Sequence, residues 1–309
     1  MTALDPAAHS ILEEPTPKKT KKASKAIEGG IAVRQKSVWA TLIAAASAIL
    51  WTIPTLGLFI TSFRPQIDVI RSGWWTVWRD PEFTLENYTE ALTGGTTNLS
   101  AYFLNSFIIT IPAVIIPISI ACLAAYGFAW VNFKLARILF VAVFALQIVP
   151  IQVTLIPLLT LFVDMGLAGT FWPIWIAHSI FALPLAIYLI HNFMSELPKE
   201  LFEAARVDGA GHLTIFFKIL LPLMVPAIAA FAIFQFLWVW NDLLVGLTFG
   251  ASPEVAPLTV RIAELSGTRG SAWHLLSAGA FISMVVPLIV FISMQRYFVR
   301  GLLAGSVKG

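Results

Sequence analysis

Six long apolar stretches, each free of Asp, Glu, Lys and Arg, constrain this chain more than any other feature of its sequence. They occupy residues 38–63, 102–131, 138–163, 171–193, 219–240 and 275–295. A helix needs about 20 predominantly apolar residues to cross the hydrocarbon core of a bilayer. The sequence therefore predicts an all-α membrane protein with six transmembrane helices. The first stretch is longer than the core of a signal peptide, about 7–15 residues, so we expect it to be a retained anchor helix.

The distribution of positive charge predicts how the chain is oriented. With the N-terminus inside the cell, 15 of the 20 Lys and Arg fall in the inner segments and five fall in the outer segments. Cytoplasmic segments of membrane proteins carry such an excess. We therefore expect both termini to be cytoplasmic. Residues 1–37 are predicted to form a basic, disordered cytoplasmic tail, and residues 38–309 the transmembrane domain.

Prolines lie inside several of the apolar stretches. Each proline removes a backbone donor and tends to kink its helix. Such kinks are tolerated where neighbouring helices or a cavity satisfy the carbonyl groups that the proline leaves free, so these positions predict kinked spans in a protein that changes shape. They are Pro54, Pro112, Pro117, Pro150, Pro157, Pro184, Pro226 and Pro287.

Neutral polar side chains stand where charge is missing from the apolar stretches. Ion-coupled transporters usually hold an ionisable residue at membrane depth, because the coupling ion binds there. Amide side chains instead supply both hydrogen-bond donors and acceptors, which suits an uncharged, hydroxyl-rich solute. The candidates for a substrate path are Gln147, Gln152 and Gln235, with Asn241 and Asp242 at the end of the fifth stretch.

Each of these candidates also has a purely structural interpretation. A glutamine in a membrane helix often bonds to a neighbouring helix rather than to a ligand. Asn241 and Asp242 either line the outer mouth of a cavity or cap the end of their helix. Four aromatic residues leave a similar choice, between apolar faces for the solute and an aromatic belt at the membrane surface. They are Phe234, Phe236, Trp238 and Trp240.

Familiar motifs for catalysis, metal binding or nucleotide binding are absent from the sequence. It contains no CxxC, HExxH, GxSxG or GxxxxGK[ST], and its single cysteine, Cys122, lies inside an apolar stretch. We therefore expect that the chain is not an enzyme and that it binds no metal or cofactor itself. An intramembrane enzyme is disfavoured for the same reason.

A polar segment at about residues 195–218 separates the fourth and fifth apolar stretches. Pro198 suits the first turn of a helix, and Gly209 suits its end. Small alanines flanked by charge would let another protein approach closely, although a helix that rests on lipid headgroups is the alternative. The residues that we expect to face a partner are Glu203, Ala204, Ala205, Asp208 and Gly209.

This polar segment resembles the EAA loop of permease subunits in binding-protein-dependent ATP-binding-cassette (ABC) importers. The family pattern is Glu-Ala-Ala, three residues, Gly, nine residues and then Ile-x-Leu-Pro. All seven fixed positions are matched, by Glu203, Ala204, Ala205, Gly209, Ile219, Leu221 and Pro222. The resemblance therefore identifies the superfamily.

Further segments resemble carbohydrate permeases in particular. Residues 84–88 are similar to the Phe-Thr-Leu-x-Asn-Tyr segment of these proteins, and residues 234–243 are similar to the end of their fifth helix. The tail at 295–309 resembles that of the MalG-type subunit of maltose and α-glucoside importers, and residues 267–274 resemble α-glucoside permeases more weakly.

The resemblance implies a fold, a set of partners and a role for the polar segment. The fold would be that of a type I ABC importer permease in the bacterial cell membrane. The partners would be a second permease of the MalF type, an ATPase homodimer that binds ATP and Mg, an extracytoplasmic sugar-binding protein and membrane lipid, with no nucleic acid. Residues 203–209 would form the coupling helix that docks into the ATPase.

The expected function is import of an oligosaccharide, with an α-glucoside such as maltose or trehalose as the leading cargo. One alternative keeps the architecture and changes the cargo to glycerol phosphate or another oligosaccharide. Another is a stand-alone ion-coupled transporter, which would leave the polar segment without a purpose.

Overall fold

The structure, a computed structural model, describes residues 38–94, 98–131, 133–267 and 272–304, with side chains described as far as residue 295. The predicted tail at residues 1–37, part of the segment 267–274 and the side chains of the C-terminal tail beyond residue 295 lie outside this description. Contacts divide the chain into two units, Met1–Pro54 and Thr55–Gly309. The described part of the first unit is purely helical.

All regular structure in these residues is helical. In chain order the α-helices are α1 (Val38–Ser62), α2 (Gln66–Arg71), α3 (Glu86–Thr93), α4 (Leu99–Trp130), α5 (Ala136–Ala145), α6 (Ile151–Asp164), α7 (Trp172–Ser195), α8 (Lys199–Val207), α9 (His212–Thr214), α10 (Leu221–Trp240), α11 (Leu244–Phe249), α12 (Leu258–Ser266) and α13 (Trp273–Ala304). A π-helical turn, Ile215–Leu220, joins α9 to α10, and short 3-10 turns occupy Trp74–Trp78 and Leu146–Ile148.

Five of the predicted spans are single helices that are long and apolar enough to cross a membrane: α1, α4, α7, α13 and the continuous helix His212–Trp240. The third predicted span is not straight. It consists of Ala136–Ile148 and Ile151–Asp164, which meet at an angle of 99°. The break lies at Pro150, because proline has no N–H to donate and because it holds the preceding Val149 in an extended conformation (φ −71°, ψ 119°).

Helices α4 and α7 form the most extensively packed pair, and α10 packs against α4, α7 and α13. One buried cluster at the α8 end of this arrangement contains Tyr126, Met194, Phe202 and Phe216. A middle cluster joins α4 and α7 to α6 and α11. A third cluster lies at the opposite end of α4, around Leu99.

Three prolines inside helices leave free carbonyl groups that other helices satisfy. A proline cannot donate to the carbonyl four residues before it. Before Pro112, the Ile108 carbonyl accepts a hydrogen bond from Trp175 Nε1 of α7, at 3.0 Å. Before Pro117 and Pro287 the donors come from α10. They are Gln235 Nε2, 3.2 Å from the Ala113 carbonyl, and Trp240 Nε1, 3.1 Å from the Ser283 carbonyl.

These side-chain donors make a rescue experiment possible. Trp240→Phe keeps an aromatic ring but removes the indole N–H and part of the buried volume, so we expect it to lower the free energy of unfolding by about 1–3 kcal/mol through the unpaired Ser283 carbonyl and by a further amount through lost packing. Pro287→Ala returns a backbone donor to the same carbonyl. The double variant should therefore recover the part of the thermal stability in detergent that the lost hydrogen bond accounts for, and simple additivity of the two effects would contradict the assignment.

Candidate functional site

Helix α8 is attached to the rest of the protein by one face. Pro198 precedes its first residue and cannot extend the helix backwards. Phe202 and Ala205 are buried in the cluster at the end of α4. The Phe202 ring lies against Trp130 with ring centroids 4.0 Å apart. A short polar helix is thus anchored by an aromatic contact.

The opposite face of α8 is open to a partner. Glu203 and Ala204 are exposed, and Val207 is 88% exposed. We expected Ala204 and Ala205 to form the outward surface together. For Ala205 that expectation is wrong, because its side chain packs into the core and therefore attaches the helix instead of facing outward.

Gly209 ends α8 in a left-handed conformation, with φ +83°. Its N–H donates to the Arg206 carbonyl at 3.0 Å, and the N–H of Ala210 donates to the Ala205 carbonyl at 2.9 Å. This pair of bonds is the Schellman motif, in which a residue with positive φ is usually glycine. Asp208, just before it, is exposed. The glycine of the EAA pattern is therefore explained by backbone geometry.

A second feature is a cavity of about 930 Å³ in the membrane-spanning part. It lies where the break between α5 and α6 meets the middle of α7 and α10. Three predicted residues, Gln147, Gln152 and Gln235, lie in its wall. The other lining residues are Leu146, Val149, Pro150, Ile151, Val153, Thr154, Pro157, Leu158, Leu161, Ile180, Phe181, Ala182, Pro184, Leu185, Phe231, Phe234 and Trp238.

The three glutamines of the wall differ in exposure. Gln147 and Gln152 are exposed, whereas Gln235 is fully buried. Gln235 makes the interhelical bond to α4 that we gave as its structural interpretation. Its Oε1, however, has no hydrogen-bond partner among the described residues. Gln235 therefore holds the helices together with one end of its amide and leaves an acceptor unused at the other.

Asn241 and Asp242 do not line this cavity, and Asp242 caps the start of the next helix, α11, rather than the end of α10. Asp242 Oδ2 accepts hydrogen bonds from the N–H groups of Val245 and Gly246 at 2.8 and 3.1 Å, at the start of α11. Burial raises the pKa of the Asp242 carboxyl, and these backbone donors oppose the shift. Asn241 Nδ2 donates to the Leu237 carbonyl of its own helix.

Two of the four aromatic residues of α10 have the position that the first interpretation requires, and the buried Trp240 does not fit a belt at the membrane surface. Phe234 and Trp238 line the cavity, whereas the Trp240 ring is buried and stacks on Phe236. Thr154 and Phe181 also line it, and we did not expect them. No sequence pattern marks these two residues, because they face the cavity only as a result of the bend.

Comparison with known proteins places the chain in a family. Residues 117–303 match the binding-protein-dependent transport system inner membrane component. The chain is 54% identical over 266 residues to the osmoprotective compounds uptake permease protein GgtD of Synechocystis sp., which covers 84% of this chain and 89% of the relative. It is 53% identical over 235 residues to the alpha-glucoside transport system permease protein AglG of Rhizobium meliloti, which covers 74% of this chain and 61% of the relative.

A solved structure agrees with this placement. The fold is similar to a chain of a bacterial ABC transporter involved in the import of the acidic polysaccharide alginate, with a TM-score of 0.67 and 18% identity over 92% of this chain and 100% of that one. At this identity the likeness shows the fold alone. The family match and the helical fold together show that the chain belongs to the binding-protein-dependent transport system inner membrane components, as a multi-pass permease subunit of an ABC importer and not an enzyme.

Proposed function

We propose that this chain is one of two permease subunits in an ATP-driven importer of an uncharged oligosaccharide, with an α-glucoside such as maltose or trehalose as the leading cargo. The observation that carries the proposal is α8. Its Phe202 face is anchored in the core while its Glu203–Ala204 face is open, as a coupling helix requires.

One continuous helix connects the turn after α8 to the cavity. After the turn at Gly209, the helix His212–Trp240 runs without interruption to Gln235 and Trp238 in the cavity wall. Tyr126 Oη lies 2.7 Å from His212 Nδ1 and ties the start of this helix to α4. A displacement of α8 would therefore be transmitted to two helices, α4 and α10.

The proposed complex contains the partners that the resemblance implies. ATP and Mg are bound by an ATPase homodimer that contacts Glu203, Ala204, Asp208 and Gly209 from the cytoplasm, where both termini of this chain also lie. A homologous permease of the MalF type completes the translocation path. An extracytoplasmic sugar-binding protein delivers the cargo.

The cargo is proposed from the cavity and from the relatives. None of the residues that line the cavity carries a charge, which disfavours an anionic cargo such as glycerol phosphate because a buried charge needs a partner. AglG, at 53% identity, is described as an alpha-glucoside permease. Import of osmoprotective compounds is the second candidate, because GgtD is 54% identical.

Purification through a tag on this chain tests the proposal directly. We expect a second permease and an ATPase to co-isolate, and the assembled complex to import radiolabelled maltose or trehalose in vesicles only when ATP and the binding protein are present. Transport by this chain alone, driven by an ion gradient, would instead support a stand-alone transporter.

Two glycines of the polar segment form a matched pair for testing the coupling role. A side chain at Gly209 or Gly211 meets nothing within 4 Å, but only Gly209 has positive φ. Alanine at a left-handed position costs about 1–2 kcal/mol. We expect Gly209→Ala to lower uptake about fivefold or more while ATP hydrolysis continues, and Gly211→Ala to have little effect. Equal uptake by both variants would contradict the role given to this turn.

The anchor of α8 is tested by two neighbouring residues. Phe202→Ala removes a buried ring and should lower the free energy of unfolding by about 3–5 kcal/mol, and it should weaken the link between ATP hydrolysis and uptake. Leu201 is 41% exposed, so Leu201→Ala serves as the control with a small effect on thermal stability. Equal losses of thermal stability and of coupling in the two variants would contradict the anchoring role of Phe202.

A further inference from the structure

The segment that follows the first span folds back beside it. It contains α2 (Gln66–Arg71) and the 3-10 turn Trp74–Trp78. Trp74 packs on Gly57 of α1, where an added Cβ atom would lie only 2.6 Å from Trp74 Nε1, so glycine gives the indole its room. Gly57 precedes the end of α1 at Ser62 by about 7.5 Å along the helix axis. The 3-10 turn therefore lies at the level of the last turns of the span.

A buried arginine holds this segment in its folded-back shape. Arg64 is only 3% exposed. Its guanidinium donates hydrogen bonds of 2.7–3.3 Å to the carbonyls of Asp68, Ser72 and Gly73 and to the hydroxyls of Ser72 and Thr76. The guanidinium is a rigid planar fork of donors. One side chain thus fixes the backbone of the segment and determines which of its side chains face outward.

The residues at 84–88, which resemble carbohydrate permeases, fasten the same region. Asn87 Nδ2 donates to the carbonyls of Ser62 and Arg64 at 2.9 and 2.8 Å, and Tyr88 Oη lies 2.8 Å from Ser62 Oγ. Tyr88 also packs against the third buried cluster, at the end of α4 opposite to α8. The folded-back segment therefore lies at the membrane surface opposite to α8.

Four large apolar side chains of the segment are exposed within twelve residues of sequence. Exposed apolar side chains that lie together mark an interaction surface. Two of the four are tryptophans, whose amphipathic rings are enriched where the membrane meets water. The four are Ile67 (50% exposed), Ile70 (56%), Trp75 (64%) and Trp78 (82%).

The charged residues of the segment are balanced. Residues 66–80 contain Arg71 and Arg79, which are exposed, and the carboxylates of Asp68 and Asp80. A guanidinium binds phosphate through paired hydrogen bonds, and a carboxylate attracts an ammonium group. Charges of both signs suit a zwitterionic lipid headgroup, which carries a phosphate and an amine.

We propose that residues 66–80 form an interfacial anchor in the lipid headgroup layer of the leaflet opposite to α8. Ile70, Trp75 and Trp78 lie at the boundary with the acyl chains. Arg71 and Arg79 bind lipid phosphates. The anchor fixes the end of the first span at the membrane surface. This inference goes beyond the proposed function, and it holds whichever solute is imported.

Two protein partners are the other occupants of this surface. The extracytoplasmic binding protein approaches from the aqueous side, whereas the contact of Trp74 with Gly57 places the 3-10 turn beside the span and not beyond it. The second permease would cover the surface permanently and would exclude both lipid and water. The three occupants therefore differ in what surrounds the exposed side chains.

Nitroxide labels measure these surroundings. The one cysteine of the chain, Cys122, is buried, so Cys122→Ala provides a background for Ile70→Cys, Trp75→Cys and Trp78→Cys, each labelled singly. The assembled transporter is placed in nanodiscs of phosphatidylethanolamine and phosphatidylglycerol, without binding protein. Oxygen concentrates in the bilayer and a nickel chelate concentrates in water. We expect relaxation by oxygen to exceed relaxation by the nickel chelate at all three positions.

Two further labels calibrate the measurement. Ile289→Cys, at a position of α13 that is 60% exposed, gives the lipid reference. Glu82→Cys, at an exposed position just beyond the anchor, gives the water reference. Accessibility like that of Glu82 at Trp75 and Trp78 would overturn the proposal. So would low accessibility to both reagents, which indicates the second permease, or protection from nickel only after sugar-loaded binding protein is added.

A second experiment asks whether the tryptophans hold the segment in the headgroup layer. With the label at Ile70, Trp75→Ala combined with Trp78→Ala should lower the accessibility to oxygen and raise that to the nickel chelate, while the ATPase still co-isolates. Leu85→Ala is the matched control, because Leu85 is 66% exposed but lies outside the anchor. An unchanged label in the double variant, or an equal change in the control, would contradict the anchoring role.

Discussion

The carbonyl groups that prolines leave free determine much of how the helices meet. Inside a bilayer no water satisfies such a group, and each one left unpaired costs several kcal/mol. Here Trp175, Gln235 and Trp240 reach from one helix to a carbonyl on another, each time four residues before a proline. These bonds fix α7 against α4, α4 against α10 and α10 against α13. A proline that leaves a carbonyl unpaired in one helix thus helps to determine which neighbouring helix packs against it.

The same reasoning explains how much of the fold can be predicted from the sequence. The six apolar stretches, the polar helix and its glycine all follow from local patterns, because hydropathy and backbone geometry are properties of short segments. The prolines could be located, but not their consequences. Pro150 breaks its span by 99°, whereas Pro112, Pro117 and Pro287 remain inside helices. Pro54, Pro157, Pro184 and Pro226 also remain inside helices, so the position of a proline in the sequence does not by itself predict where a span breaks.

The candidate site residues show the same difference between what local sequence predicts and what only the fold determines. The glutamines were identified from their polarity, but their placement around one cavity depends on the bend at Pro150. The sequence position of Asp242 predicts either a cap at the end of the fifth span or a cavity wall, and only the fold shows that it accepts from the Val245 and Gly246 N–H groups at the start of the next helix. Ala205 was expected outside because it adjoins Ala204. Neighbouring residues on a helix point about 100° apart, so one alanine packs inward when the other is exposed.

The absence of ionisable groups from the cavity wall has a consequence for energetics. A charge that crosses a membrane exchanges about 2.3 kcal/mol of work with each 100 mV of potential. A neutral solute that moves along this wall exchanges none, and no lining residue carries a gating charge. For the neutral cargo proposed above, the step along this wall would therefore not depend on the membrane potential, and uptake would continue in a depolarised cell for as long as the partner ATPase has nucleotide.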